Sequence, residues 1–99
     1  MKIRIEEKVF DTTRAQQSWE EAKDHDGSNW HGRSSNSQWH DDTLYKSAKG
    51  NYYLITATRV TGEQDTARLL TPLEAAEWLT LNDEELPDDL EKLADEAAE

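Results

Sequence analysis

The sequence predicts an α+β domain: a small antiparallel sheet of four or five strands, one helix packed on it and an acidic helix at the C-terminus. Three observations lead there. Strand-type patterning recurs through residues 1–70, Thr71-Pro72-Leu73-Glu74 has the chemistry of a helix start, and leucines and alanines return at helical spacing from Leu86 onward.

Lys2 to Val9 alternates as a half-buried strand, with Ile3, Ile5 and Val9 facing one way and Lys2, Arg4, Glu6 and Lys8 the other. Glu7 interrupts the inner row. Asp11-Thr12-Thr13 supplies turn chemistry, and Arg14 to Ala22 fits either a short strand or one to two helical turns, the strand being preferred. Asp24 to Asp42 is rich in Gly, Ser, Asn, Asp and His, with Trp30 and Trp39 as its large apolar residues, and is expected to be a long polar loop. Thr43–Ser47 and Asn51–Val60 form a hairpin across Ala48-Lys49-Gly50, and Thr66–Leu70 returns as a third strand. Because Tyr53, Leu54 and Ile55 are apolar on both faces, the middle strand is central. Thr71, Pro72 and Glu74 then form a capping box with proline at the first helical position, and this helix runs to about Leu81. It sets Leu73, Ala76 and Leu79, or Ala75, Trp78 and Leu79, against the sheet; Asn82 ends it or caps the next turn. Leu86, Leu90, Leu93, Ala94 and Ala97 make one stripe of a last helix, with fraying expected near Glu96 and Glu99, where the macrodipole disfavours acids. Core positions are expected for Tyr53 and Trp78.

With 99 residues the chain has room for a single domain, mainly β over 1–70 and helical over 71–99. Hydrophobic residues make up 34% and charged residues 33%, so the core is small. Cysteine is absent, which excludes disulfide frameworks, thiolate zinc sites and cysteine nucleophiles. No apolar run is long enough for a membrane span and the N-terminus has no apolar signal core, so a soluble, cytoplasmic protein is expected.

Twenty-two acidic residues face eleven basic ones, a formal charge of -11 that repels phosphate backbones and anionic lipid. Neither direct nucleic-acid binding nor membrane binding is expected. The charge is concentrated: residues 74–99 hold eleven acids and one base, Lys92, whereas residues 1–73 hold eleven acids and ten bases. A solvated acidic face is one reading of this stretch; adaptation to high salt would acidify the whole surface, whereas residues 1–73 are almost neutral, and the other reading is a binding surface for a cationic partner.

Asp24-His25-Asp26-Gly27, Asn29, His31 and His40-Asp41-Asp42 are hard ligands without a metal-site spacing, and a solvated polar loop is the better reading. No nucleophile elbow or phosphate loop is present, and adjacent acids such as Asp41-Asp42 and Glu84-Glu85 splay apart. An enzyme is therefore not expected, and no catalytic residue, cofactor or metal is assigned. The residues assigned to partner binding are Glu84, Glu85, Asp88, Asp89, Glu91, Asp95 and Glu96, with Trp30 and Trp39 supplying specificity.

Three segments resemble a family of small uncharacterised proteins from bacteria, phages and plasmids. Lys8-Val9-Phe10-Asp11-Thr12-Thr13-Arg14-Ala15 is similar to that family's Lys-x-Tyr-Asp-Thr-x-Thr-Ala opening, with departures at Phe10 and Arg14. Leu44 to Leu54 resembles its hairpin, and Leu70-Thr71-Pro72-Leu73-Glu74-Ala75-Ala76-Glu77-Trp78 its helical end. Together they cover under half of the chain. The resemblance implies a mobile-element setting, in which small acidic proteins act as inhibitors of host defence. The function expected is thus inhibition of an anti-CRISPR or anti-restriction kind, through a nucleic-acid-mimicking surface that occupies a basic groove on a protein target. The alternatives are a small-ligand or nucleotide-binding module built on Trp30, His31, Trp39 and His40, and a regulatory protein–protein interaction domain.

Overall fold

A computed structural model describes the backbone of residues 2–97 and the side chains of residues 2–92. The strands are β1 (Lys2–Ile5), β2 (Lys8–Asp11), β3 (Gln17–Glu20), β4 (Lys23–His25), β5 (Trp30–Gly32), β6 (His40–Lys46), β7 (Tyr52–Thr58) and β8 (Thr66–Leu70). Two helices follow, α1 (Pro72–Leu81) and α2 (Asp88–Ala97).

Four strands form the main antiparallel sheet in the order β3-β6-β7-β8, with β7 central as expected. Its register places Leu44 opposite Leu54 and Tyr45 opposite Tyr53, so adjacent residues of β7 enter different layers. On one face Trp19, Leu44, Tyr52, Leu54 and Leu70 pack under Ala75, Ala76, Trp78 and Leu79 of α1 and Leu90 of α2. On the other, Tyr53 and Ile55, with Tyr45 and Leu69 beside them, pack against Ile3, Ile5 and Phe10. The molecule is thus three layers deep: a hairpin, a sheet and two helices.

The hairpin corrects the expectation of one strand over Lys2–Val9. The chain turns at Glu6 and Glu7, with φ of 49° and 70°, so β1 and β2 pair from Lys2↔Asp11 to Ile5↔Lys8. Two successive positive φ angles define the type I′ turn whose twist suits a two-residue hairpin. Glutamate rarely adopts that conformation, which costs roughly 1–2 kcal/mol per residue. Burial of Ile5 and Phe10 on the sheet offsets it. Val9 consequently faces outward beside Arg4 instead of joining Ile3 and Ile5, and is 66% exposed.

The expected loop over 24–42 is also corrected. It contains the β4–β5 hairpin, closed by Asp26 and Gly27, and β6 already begins at His40. Asp26 accepts hydrogen bonds from the Ser28 and Asn29 amides at 2.9 and 2.8 Å, an Asx turn that lets so polar a segment reverse. The strand over Arg14–Ala22 is narrower than expected and follows a single 3₁₀ turn at Thr12–Arg14.

α1 begins on the expected capping box: Thr71 Oγ1 accepts from the Glu74 amide at 3.2 Å and Glu74 accepts from the Thr71 amide at 2.9 Å. Leu73 lies outside the buried stripe, which consists of Ala75, Ala76, Trp78 and Leu79. The helix ends in a Schellman pattern, with the Glu84 amide donating to the Leu79 carbonyl and the Asp83 amide to the Thr80 carbonyl. Asp83 supplies the left-handed residue, at φ 57°.

Candidate protein-binding surface

The acidic segment is positioned from both ends. Asn82 is buried; its Oδ1 accepts from the Ala22 amide and its Nδ2 donates to the Trp78 carbonyl, both at 2.9 Å, which fixes the end of α1 against the β3–β4 junction. Leu90 is fully buried and Leu86 packs beside the same core, anchoring α2. Between and beyond these anchors, Glu84, Glu85, Asp88 and Glu91 are exposed. None of the four carboxylates has a hydrogen-bonding or ionic partner among the described residues.

Asp89 behaves differently from its neighbours. It points back onto the sheet, accepting from Tyr52 Oη at 2.9 Å and from Lys46 Nζ at 3.1 Å, while Lys46 also lies 5.8 Å from the Tyr52 ring centroid. Burial raises the Asp89 carboxyl, but the bonds from Lys46 and Tyr52 outweigh it and hold the group below the usual carboxylate range. Its role is to dock the first turn of α2, where an acid also suits the helix dipole. Asp83 is likewise engaged, 3.1 Å from Arg33 Nη1. The side chains of Asp95 and Glu96 lie outside the described residues; the backbone of α2 is helical through Ala97, Glu96 included, and the fraying expected at Glu99 lies outside them.

The two loop tryptophans are exposed, Trp30 at 63% and Trp39 at 54%. Trp30 stands near the tip of the β4–β5 hairpin, edge-on to His25 with ring centroids 5.0 Å apart. Arg33 bonds both Asp24, at 3.0 Å, and the Leu81 carbonyl, at 3.2 Å, tying this hairpin beside the acidic segment. Trp39 precedes β6, whose far end carries Lys46 and its contact with Asp89. The length of β6 puts Trp39 about 20 Å from that contact. The structure therefore ties Trp30's hairpin to the Leu81–Asp83 end of the acidic segment and sets Trp39 far from the Asp89 end of it.

A shallow hollow of about 260 Å³ is lined by Asp26, Asn29, His31, Asn36, Ser37 and Gln38. Neither tryptophan lines it, and His40 turns away to hydrogen-bond Ser37 and Glu63. Among the described residues, no three His, Asp or Glu side chains converge as metal ligands.

Sequence reasoning missed a buried acidic pair. The Glu21 side chain is 1% exposed and accepts from the amides of Ser34, Ser35 and Asp42 and from the hydroxyls of both serines. Ser34 Oγ lies 2.8 Å from both Glu21 Oε2 and Asp42 Oδ2, and Asp42 also accepts from Thr56. Gly32 is required beside it, because a Cβ there would overlap the Glu21 carboxylate. Burial raises the Glu21 carboxyl, yet these hydrogen bonds, that of the Ser35 amide foremost, hold it below its ordinary range. With its acceptor sites occupied by the fold, Glu21 pins the 33–37 segment onto the sheet.

No protein-family model, curated protein or solved structure matches this chain. Among the described residues no helix is long and apolar enough to cross a membrane.

Proposed function

We propose that this protein is a stoichiometric, non-enzymatic inhibitor that binds a cationic, nucleic-acid-binding groove on a target protein. The anti-CRISPR or anti-restriction setting suggested by the family resemblance is its most concrete form. The observation carrying this reading is that Glu84, Glu85, Asp88 and Glu91 form an exposed anionic run without cationic partners among the described residues, on a segment anchored at both ends. A fixed anionic run spends little ordering entropy on binding, and like charges held together at a cost to the fold are offset by a basic partner. Asp89 docks α2, and Trp30, on the hairpin that Arg33 ties to Leu81 and Asp83, supplies an aromatic contact beside the run.

The test is capture of a nucleic-acid-binding effector from lysate by the intact protein, against the quadruple variant E84K/E85K/D88K/E91K. Capture by the wild type alone, displaced by duplex DNA and weakened by salt, is the expected outcome. Equal capture by both proteins would sink the reading. Capture that DNA leaves untouched would favour a regulatory partner bound elsewhere than at a nucleic-acid groove. The nucleotide-binding alternative receives less support, since the hollow beside His31 presents no aromatic platform.

A further inference from the structure

On the opposite side of the sheet from the helices, β2 is an edge strand. It pairs with β1 alone, and its outer edge faces the 47–51 turn across a groove of about 560 Å³. In a two-residue hairpin the Ile5/Lys8 pair flanking the turn exchanges its hydrogen bonds, so the next pair, Arg4/Val9, does not. The Val9 amide and carbonyl therefore point off the outer edge, and no described residue bonds them. Such an edge is a template for an added strand.

The charge of the groove selects the strand. Lys8 and Lys49 are exposed on its rim and have no ion-pair partner among the described residues, while Arg14, 84% exposed, only reaches Asp11 at 3.8 Å. Among the described residues lining the groove the one carboxylate, Asp11, is engaged by the Thr13 amide and hydroxyl. This local cationic site is exceptional on a molecule of charge -11. Pairing with a second β2 edge through Val9 would set the same three cations against their own copies, which disfavours a symmetric dimer.

We infer that the β2 edge and the 47–51 turn form a second binding site, which takes an extended acidic segment of another protein by strand addition. Backbone hydrogen bonds to Val9 give the affinity, and Lys8, Arg14 and Lys49 select carboxylates on the incoming strand. This site is independent of the acidic surface on the helical side.

The probe is a fluorescein-labelled peptide of alternating glutamate and valine, eight residues long, followed by anisotropy with the full-length protein. Saturable binding is expected, weakened at least tenfold by K8E/K49E and by N-methylation of alternate peptide amides, which keeps the charge and removes the strand donors. A lysine–valine peptide of equal length should not bind. No saturable binding of the acidic peptide, or binding indifferent to both K8E/K49E and N-methylation, would overturn the inference. So would a fluorescent oligothymidylate binding as tightly as the peptide. Circular dichroism of K8E/K49E verifies that its fold is retained, and the N-methylated peptide tests the same point on the unaltered protein.

Discussion

Tyr52 and Tyr53 are neighbours in sequence and face opposite layers. Tyr52 stacks at 6.4 Å on Trp19 and donates its hydroxyl to Asp89. Tyr53 is fully buried between Phe10, 4.6 Å away, and Tyr45, 5.1 Å away, and its hydroxyl has no hydrogen-bond partner among the described residues. A hydrogen bond to a carboxylate contributes about 1.5–3 kcal/mol, whereas an unpaired buried hydroxyl is itself a cost. Tyr52→Phe should therefore destabilise the protein by about 2 kcal/mol, while Tyr53→Phe should be neutral or stabilising. Urea unfolding of the two variants checks this, and equal losses would contradict it. The core position of Tyr53 was legible in the sequence, since a central strand must be apolar on both faces. The contrast between the hydroxyls was not, because it depends on what the hairpin and α2 bring to each face. The tryptophans divide similarly: Trp78 was readable from helical spacing, whereas the burial of Trp19 depends on the helices that cover its face of the sheet.

At the scale of elements, legibility followed the range of the interactions. The α1 capping box closes within three residues and could be read directly, as could the 47–51 turn with Gly50 at φ 86°. The β1–β2 turn could not, because Glu6-Glu7 lacks the usual turn residues and is held by packing on a sheet formed much later in the chain. The 24–42 segment read as a loop because its order comes from Glu21 and Asp42, acids outside or at the edge of it. Glu21→Gln presents an amide NH₂ to a cluster of donors and should cost about 2–3 kcal/mol. The sign with pH follows from the lowered carboxyl. Glu21 contributes stability that is fully present above its ordinary pKa of 4.5 and is lost as pH falls through the lower folded value. The stability gap between wild type and Glu21→Gln should thus be widest above about pH 5 and shrink in acid. Denaturation series at several pH values measure it; a gap that widens on acidification would refute the assignment.

For the whole molecule, the layered architecture segregates charge. The helical face carries the exposed run at 84–91, and the hairpin face carries the Lys8, Arg14 and Lys49 groove. Self-repulsion in the acidic segment weakens the folded state and is screened by salt, with a Debye length of about 10 Å at 0.1 M falling to 3 Å at 1 M. Tm should rise by about 5 °C between low and ~0.5 M salt, roughly 1 kcal/mol for a domain of this size, and E84K/E85K/D88K/E91K should show a much smaller rise. A scanning-fluorimetry series checks this, and a falling Tm would mean that ion pairs such as Arg33–Asp24 outweigh the repulsion. The sequence by itself determined the α+β class, the central strand, the start of α1 and the location of the negative charge. Those features rest on periodicity, caps and composition, which act over a few residues. Only the tertiary structure decided that the N-terminus folds back as a hairpin, that Asp89 is an anchor while Asp88 and Glu91 have no partner among the described residues, and that Glu21 is buried. Each of these depends on partners far away in the chain, such as Ala22 and Asn82, 60 residues apart, or Lys46 and Asp89, 43 apart. Their meeting is set by which apolar faces the layers bury together, and no local pattern encodes that.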